Sequence, residues 1–492
     1  MRIDLRPVKK LSEINVAAAL GPVVEVLAAS PLDLSRTRVV CDWVQYRNNF
    51  RQPVDCRPQL ASRRPEDEQS GPVDESGLEI GLDLRRIPDL DLTTSLKEVL
   101  AEHNAIGDPG RVVLEPWVPG RESCIWRFNA LYWQALSQWE QVTGQEYEKT
   151  LPGGESDARN TEAARELILE LFKIWDDLDA RQALPEELYV VELGVGNGNQ
   201  ARTWLDAFVD LDRVHGRDYY RRLHYLMGDY SAHVLERAQR TVAHHSDHIS
   251  ALVLDATRPT VTLGFLRDKA FLVYISNVYD NLPCDEVASI CGQTYLVEVR
   301  AVVRESGAER IARQVGAPAS SFAMLVDRLL RLGPELLSES LPRHFADLTQ
   351  AVSFWRDVWT ALRLEERYLP LEGLDLYEVA PGITGEILRP LLEAEGDIRI
   401  HVSNGALSSF ADTLPLLHPS GRLQCHDLFV TDRHQYRTGF YGPGKYDGSV
   451  VNWVNGPLLR LVGNRRGFEA RIAPFKQRPN SNVKTLTTQV RD

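Results

Sequence analysis

Cysteine is scarce in this chain, and the few cysteines that occur are scattered. Six stand among 492 residues, and no two have the Cys-x-x-Cys spacing of a zinc-binding or redox-active pair. Their density is far below that of a small disulfide-stabilised scaffold. We therefore expect reduced thiols and a cytoplasmic protein.

Long uninterrupted apolar runs are also missing. The apolar stretch near the start, INVAAALGPVVEVLAAS, is broken by Pro22 and Glu25. It is too short to cross a bilayer and lacks the unbroken core of a secretory signal. The stretch predicts a helix of a soluble protein, with no membrane as a partner.

Positive charge is in the minority, since 56 Lys and Arg stand against 69 Asp and Glu, for a formal net charge of −13. Binding to nucleic acid or to an anionic membrane needs clustered cationic surface, so neither is expected as a partner. The exception is a run of basic residues that starts at Arg460 and includes a basic tail at 476–492. A solvated surface segment is expected there, and docking to an acidic partner is the alternative.

What is present is the composition of a soluble globular protein, with 43% hydrophobic and 25% charged residues. From residue 188 onwards, apolar segments alternate with amphipathic ones: the strand-like LYVVEL, LHYLMGD, ISALVLDAT and AFLVYISN are separated by helix-like sequence. Such alternation predicts a parallel α/β sheet of Rossmann-like type with helices on both faces.

The remaining sequence divides into regions around that sheet. Residues 1–150 form an N-terminal extension with a polar linker at 61–91. Residues 151–304 carry the first half of the sheet, 305–371 a helical insertion placed to act as a lid or as added core, and 372–475 the second half. In the extension, IWRFNALYWQALSQWEQV predicts a packed helix, with an aromatic wall facing a substrate as the alternative. Thr161 is expected to cap the helix that follows.

A glycine-rich turn follows the first strand of the sheet. Glu192, Gly194, Gly196 and Gly198 form the pattern E-x-G-x-G-x-G. A dinucleotide fingerprint needs a third glycine at 199, where this chain has Asn, and no Gly-Lys-Ser/Thr follows as in a P-loop. The turn favours S-adenosylmethionine, which carries a sulfonium and an ammonium but no phosphate, beside the acid that ends the strand.

Acids also end the next two strands. Asp229 stands where it can accept hydrogen bonds from ribose hydroxyls, and Asp255 where it can bind an adenine amino group. Each acid taken alone is better explained as a turn or helix-cap residue, but three strand-end acids in register with one glycine turn weaken that explanation. The predicted cofactor set comprises Glu192, Gly194, Gly196, Gly198, Asp229, Tyr230, Asp255, Ala256 and Ser276.

Several ordered segments resemble the class I S-adenosylmethionine-dependent methyltransferases, and most closely the MidA-type family, which includes the mitochondrial complex I assembly methyltransferase. They are VVELGVGNGNQA, LMGDYSAHVLERAQ, ISNVYDNLPCDEV, YLVEVRAVV, GRLQCHDLF and the segment from FYGPGKYDG to GFEAR. The resemblance covers residues 186–305 and 372–472. It implies a class I methyltransferase fold, S-adenosylmethionine as cofactor and methyl transfer to a protein.

The sequence departs from that family on the acceptor side. The family's Asn-Glu is Ser276-Asn277 here, its Asp-Tyr-Gly is Asp427-Leu428-Phe429, and its late Asp-Ile-Thr is Ser449-Val450-Val451. The family that the chain resembles methylates protein arginine residues. That reaction relies on acids near the guanidinium, and this chain lacks one of those acids. The departures therefore favour an acceptor other than arginine.

Candidate catalytic residues lie at the ends of later strands. Asn277, Tyr279 and Asp280 follow the fourth strand, and His426 lies next to Asp427 on a late strand. Asp280 is expected either to orient the acceptor or to cap the next helix, and His426 to act as a general base or as a core residue. Methyl transfer mainly requires alignment of the nucleophile with the methyl carbon, so no covalent enzyme nucleophile is needed.

The sequence supports more than one function. The first is methyl transfer to an N or O nucleophile of a protein side chain or a small molecule. The second is a non-catalytic S-adenosylmethionine-binding assembly or interaction protein, and the third an NAD or nucleotide-sugar enzyme. Formation of a homodimer is left open.

The segment AHHSDH, with His244, His245, Asp247 and His248, is expected to be a solvated loop, with no metal.

Overall fold

The computed structural model describes residues 1–5, 15–41, 50, 54–59, 77–82, 91–104, 110–144, 147, 160–290, 292–394, 398–438, 443–479 and 481–491. Most of the predicted linker at 61–91 and the sixth cysteine, Cys291, lie outside these residues. Of the five described cysteines, four are buried. Among the described helices, none combines the length and the hydropathy needed to cross a bilayer.

The N-terminal region forms a small α/β layer with its own core. Its elements are β1 (Arg2–Leu5), α1 (Val16–Ala28), β2 (Thr37–Cys41), β3 (Val54–Gln59), β4 (Gly77–Leu82) and α2 (Leu92–Asn104). The strands run in the order β1-β2-β4-β3. Leu27, Ile80 and Leu96 are fully buried in the core between the sheet and the two helices.

The rest of the extension joins a second core. Its elements are β5 (Arg111–Val113), β6 (Val118–Pro119), α3 (Cys124–Gln134) and α4 (Leu136–Thr143). Phe128, Tyr132 and Trp139 are buried, as expected for a packed helix. They contact side chains of the later helical insertion, so the extension and the insertion share one apolar core.

The parallel half of the sheet follows the predicted alternation. Its elements are α5 (Thr161–Ala180), β7 (Leu188–Leu193), α6 (Asn199–Val214), β8 (Leu223–Asp229), α7 (Ala232–Thr241), β9 (Ile249–Val253), α8 (Pro259–Leu263) and β10 (Ala270–Ser276). The cap of α5 is Asn160 rather than Thr161, because the Asn160 side-chain oxygen accepts the Ala163 N–H at 3.0 Å and leaves Thr161 in the first helical position.

An antiparallel layer and three helices come next. The elements are β11 (Glu286–Ile290), β12 (Gln293–Arg304), α9 (Glu305–Gln314), α10 (Phe322–Ser340), α11 (Leu348–Ala361) and β13 (Arg363–Pro370). Strands β5 and β6 of the extension pair with β12, which ties the extension to this layer. The insertion predicted at 305–371 is therefore helical up to Ala361 and ends in a strand.

The remaining elements add strands to the parallel sheet and to the antiparallel layer, and they form two separate two-stranded sheets. The elements are β14 (Glu378–Ala380), β15 (Ile383–Thr384), α12 (Arg389–Leu392), β16 (Ile398–His401), α13 (Asn404–Thr413), β17 (Leu417–Val430), α14 (Gln435–Thr438), β18 (Gly444–Tyr446), β19 (Ser449–Val451), β20 (Val454–Asn455), α15 (Gly456–Arg465), β21 (Phe468–Pro474) and β22 (Val483–Val490). Strand β16 pairs with β11 at the edge of the antiparallel layer, and the two separate sheets are β14-β15 and β18-β19.

The central sheet has the order β9-β8-β7-β10-β17-β22-β21. Strand β22 runs antiparallel to both of its neighbours, whereas β7, β8, β9, β10 and β17 are mutually parallel. This confirms the expected α/β class, a class I methyltransferase sheet. Strand β22 also shows that the sheet extends into the segment that the sequence assigned to a basic tail.

Helices cover both faces of the central sheet. Helices α5, α6 and α7 pack on one face, with Trp175, Trp204 and Phe208 buried. Helices α13 and α15 pack on the other, with Phe410 and Leu458 buried. Because both faces are covered, strands such as β10 are nearly continuous apolar runs, and each large side chain buried in this way contributes about 1.5–3 kcal/mol.

Candidate cofactor and acceptor site

The glycine turn is fixed to the neighbouring strand by its backbone. The N–H groups of Gly194 and Val195 both donate to the carbonyl oxygen of Gly228, at 2.7 and 3.2 Å. Helix α6 then begins at Asn199, with Gly198 in the capping position. The turn therefore lies at the carboxyl edge of β7 and β8, where open α/β sheets bind their ligands.

The three glycines of the turn have different surroundings, although all have left-handed backbone, with φ of 76°, 55° and 79°. A Cβ atom on Gly194 would lie 2.3 Å from Val278 Cγ2, and one on Gly198 would lie 2.8 Å from Ala238 Cα. A Cβ atom on Gly196 would meet no atom within 4 Å. Packing within the protein thus requires Gly194 and Gly198, whereas Gly196 leaves its backbone open to a ligand.

Asp229 lies directly beside the open glycine. Its Oδ2 atom is 3.4 Å from the Gly196 nitrogen, and its Oδ1 atom accepts the Ser231 N–H at 3.1 Å. Burial raises the pKa of the Asp229 carboxyl above its ordinary value. The structure therefore brings together Asp229, which the sequence assigned to the ribose, and Gly196, whose bare backbone a ligand can approach.

Tyr230 connects this strand tip to the N-terminal extension. Its hydroxyl donates to the carbonyl oxygen of Ala130 in α3, at 2.8 Å. Helix α3 is therefore in direct contact with the tip of β8, next to Asp229. The sequence offered no local signal for this contact, since the two residues are a hundred positions apart.

Glu192 lies beneath the turn and does not supply the negative charge expected at the end of β7. Its carboxyl is only 2% exposed and accepts the Tyr225 hydroxyl at 2.7 Å. Burial raises the pKa of Glu192 to about 8, so the group is mostly protonated at neutral pH. A neutral acid in this position stabilises the strand rather than a cationic ligand.

Asp255 is exposed just after β9. One of its oxygens accepts both the N–H and the hydroxyl of Thr257, at 2.8 and 2.7 Å, and Ala256 between them is half-buried. The Leu254 N–H donates to the Asp229 carbonyl at 3.0 Å, which places the end of β9 beside the tip of β8. The expected acids therefore follow adjacent strands at one edge of the sheet.

The loop after β10 is shaped by a buried carboxylate. Asp427 Oδ2 accepts three successive backbone N–H groups, at 3.2, 2.8 and 3.3 Å, from residues 278, 279 and 280. Just before them, half-buried Ser276 ends β10, and Asn277 has φ of 51°, a left-handed conformation that Asn tolerates well. Asp427 thus holds the loop that carries the acceptor-side candidates.

Asp280 is buried against Asp427. Burial and the Asp427 charge raise the pKa of Asp280 well above its ordinary value, so Asp280 holds a proton in its hydrogen bond to Asp427. The Asn281 side-chain nitrogen also donates to Asp280 Oδ1, at 2.6 Å. In this state the Asp280 carboxyl orders the loop. It can accept a proton from a substrate only after the Asp280–Asp427 pair has lost the proton that Asp280 holds.

The structure does not bring Tyr279 and His426 to the glycine turn. Tyr279 is 1% exposed within the core that includes α13 and α15. The His426 ring contacts Thr485 Oγ1 at 3.0 Å and the Gln424 side-chain nitrogen at 3.1 Å. Burial lowers the pKa of His426 to about 4. The Tyr279 side chain lies in packed protein, whereas His426 lines a groove between α5 and strands β17, β21 and β22. None of the contacts described for either side chain involves Gly196 or Asp229.

Helix α3 also covers the loop after β10, which sequence reasoning did not place there. The Asn129 side chain donates to the Asn281 carbonyl oxygen at 2.9 Å, and the Trp133 indole N–H donates to Asn281 Oδ1 at 3.1 Å. The aromatic-rich helix is therefore a packed helix that also lines the acceptor-side loop. Its aromatic composition was the signal available in the sequence.

A groove of about 570 Å³ lies elsewhere, at the starts of the central strands, and is lined by residues that include Tyr189, His224, Lys269 and His418. This is the amino edge of the sheet, opposite the glycine turn. Ligands of open α/β sheets bind at the carboxyl edge, so we do not assign the groove to the cofactor.

Comparisons with known proteins give structural neighbours alone. No protein-family model and no curated protein matches the chain. Similar solved structures include a protein from Burkholderia thailandensis bound to S-adenosylhomocysteine (12% identity, 80% of this chain and 91% of that chain, TM-score 0.45). Another is the CcbJ methyltransferase from Streptomyces caelestis (11%, 70% and 95%, TM-score 0.31). At such TM-scores the strand order of the chain itself carries the fold assignment.

Proposed function

We propose that this chain is an S-adenosylmethionine-dependent methyltransferase whose cofactor lies at the carboxyl edge of β7 and β8. The observation that carries the proposal is the open, left-handed Gly196 with the Asp229 carboxyl 3.4 Å from its nitrogen. A ligand can approach the bare backbone, and a strand-end acid can accept hydrogen bonds from two ribose hydroxyls.

The residues around this edge fit the cofactor. Asp229 would hold the ribose, Asp255 and Ala256 would meet the adenine, and Tyr230 and Ser276 would line the sides. The bound cofactor supplies a methyl group made electrophilic by its sulfonium. The chain contributes alignment of an acceptor with that methyl group, and exclusion of water by α3 and the loop that it covers.

The acceptor in this proposal is an N or O nucleophile of a protein side chain or a small molecule. Asn277 and Asp280 lie in the loop after β10, and we assign to them the positioning of the acceptor. The resemblance to the MidA-type family supports a protein acceptor, whereas Ser276 and Asn277, in place of the family's Asn-Glu, weigh against arginine.

One observation favours a non-catalytic S-adenosylmethionine-binding protein as a second candidate. The acid nearest to the expected acceptor position, Asp280, is 6% exposed and is engaged by Asp427 and Asn281. A site that has lost its acceptor chemistry would retain the cofactor turn and use its acids for structure.

Calorimetry with S-adenosylmethionine and S-adenosylhomocysteine tests the cofactor assignment. We expect one ligand per chain, and Asp229→Ala should weaken binding by about 1–3 kcal/mol, the cost of leaving paired hydroxyls without an acceptor. Asp218→Ala removes an exposed acid paired with Arg221 and should leave the affinity unchanged. Equal affinity of wild type and Asp229→Ala would contradict the assignment.

Transfer of a labelled methyl group to fractionated lysate separates the two candidate functions. Labelling of a protein or small molecule by wild type, and its loss in Asp229→Ala, is expected for the enzyme. Cofactor binding without transfer to any fraction would favour the non-catalytic protein.

A further inference from the structure

Two histidines and an aspartate converge away from the cofactor edge. Asp206 lies in α6, and His244 and His245 lie in the 3₁₀ turn Ala243–His248 that follows α7. The Nε2 atoms of His244 and His245 are 2.8 and 3.1 Å from the same oxygen, Asp206 Oδ1. The sequence grouped these histidines with Asp247, and the fold replaces that residue with Asp206.

The three side chains present their ligand atoms at metal-binding spacing. One ligand atom from each lies within 4.8 Å of the other two. Donor atoms around tetrahedral zinc stand about 3.3 Å apart, which follows from Zn–N and Zn–O bonds of about 2.0–2.2 Å. In the described part of the chain no lysine or arginine pairs with Asp206, so its carboxylate is shared by the imidazoles alone.

His245 has a hydrogen-bond partner at its second ring nitrogen, as histidine ligands in known metal sites do. The Nδ1 atom of buried His245 is 2.6 Å from the Tyr220 hydroxyl. In the tautomer in which Nδ1–H donates to the Tyr220 oxygen, the lone pair of Nε2 is free for a metal. His244 and Asp206 are each 55% exposed at the side chain, which leaves an approach from solvent.

We propose that Asp206, His244 and His245 bind a divalent transition metal of the Zn²⁺ type. Two imidazole nitrogens and one carboxylate oxygen are the donors that zinc prefers, and water completes the shell. The metal joins α6, which begins at the glycine turn, to the 3₁₀ turn before β9. Bound zinc therefore stabilises the parallel half of the sheet without touching the cofactor edge.

Calorimetry with ZnCl₂ tests this site on the full chain, purified without a histidine tag and stripped with a chelator. We expect one zinc ion per chain, and at least a tenfold loss of affinity in His244→Ala and in Asp206→Asn. His233→Ala is the matched control, because His233 is an exposed histidine of α7 outside the cluster. Tyr220→Phe should weaken binding by about 10–100-fold if the hydroxyl orients His245.

The visible spectrum of Co²⁺ bound to wild type gives a second measurement that does not depend on the folding of a variant. Tetrahedral absorption that saturates at one Co²⁺ and is displaced by Zn²⁺ supports the site. Absence of such absorption overturns the proposal. It is likewise overturned if His233→Ala lowers the zinc affinity as much as His244→Ala, because binding would then be scattered over surface histidines.

Discussion

Gly196 differs from the other glycines of its turn in what surrounds it. Gly194 and Gly198 face protein atoms at contact distance, whereas the side-chain position of Gly196 is open. The sequence pattern could not separate these roles, because all three residues have the same spacing and the same left-handed backbone. The neighbours Val278 and Ala238 come from distant parts of the chain.

Gly196→Ala should reduce S-adenosylmethionine binding at least tenfold, about 1.4 kcal/mol, because the methyl group enters the space through which the ligand approaches. Gly216→Ala is the matched control, since Gly216 also has positive φ, 61°, and no atom within 4 Å of its side-chain position. Both substitutions should lower the free energy of unfolding by about 1 kcal/mol or more. Equal affinity of the two variants would show that Gly196 does not contact the cofactor.

At the scale of single elements, the loop after β10 depends on the end of β17. Asp427 accepts three N–H groups of the loop at one oxygen and the Leu428 N–H at the other, at 2.8 Å. The sequence indicated that both segments lie at the carboxyl edge, because parallel strands bring their ends together. It gave no sign that Asp427 would cap the loop rather than face the acceptor.

Asp427→Asn should destabilise the protein by about 1–3 kcal/mol, because an amide NH₂ in either orientation must face a backbone N–H donor. Urea unfolding measures this change. Asp432→Asn, an exposed substitution just beyond the same strand, should have little effect. Equal stability of the two variants would contradict the role assigned to Asp427.

The contact between α3 and the tip of β8 is a second property of elements. Tyr230→Phe removes the hydrogen bond to Ala130 and should cost about 0.5–1.5 kcal/mol of local stability. Hydrogen exchange in residues 124–134 should become faster, while Tyr189→Phe, whose hydroxyl contacts Glu187 at the opposite edge, leaves it unchanged. Unchanged exchange in Tyr230→Phe would mean that α3 is held by its apolar packing alone.

At the scale of the whole molecule, the sheet was predictable and its outer connections were not. Runs such as AFLVYIS are apolar because helices cover both faces, and that signal is local in sequence. Strand β22 was missed because its sequence, VKTLTTQV, is largely polar and its burial alternates only weakly, with Leu486 and Thr488 buried beside half-buried Thr485 and Thr487. The pairing of the N-terminal extension with β12 depends on contacts almost two hundred residues apart.

Global stability should depend on pH through Glu192. Because the folded-state pKa of this carboxyl is about 8 rather than 4.5, the folded protein binds its proton more tightly than the unfolded chain does. The free energy of unfolding should therefore fall as pH rises between these values, by at most about 1.4 kcal/mol per pH unit. Glu192→Gln, which has no proton to lose, should show a flatter curve in urea unfolding between pH 5.5 and 8.5.

The difference between the two curves isolates Glu192, because Asp280 and Asp427 are present in both proteins. Parallel curves for wild type and Glu192→Gln would contradict a raised pKa at this position. The protonated state also explains how an acid is accommodated within a buried strand.

A crystal structure of the full chain with S-adenosylhomocysteine would show where the cofactor binds. We predict density for the ligand beside Gly196, with its ribose hydroxyls on the Asp229 carboxylate and its sulfur directed towards the loop after β10. Ligand density at another edge of the sheet, or an empty turn at saturating ligand, would contradict it.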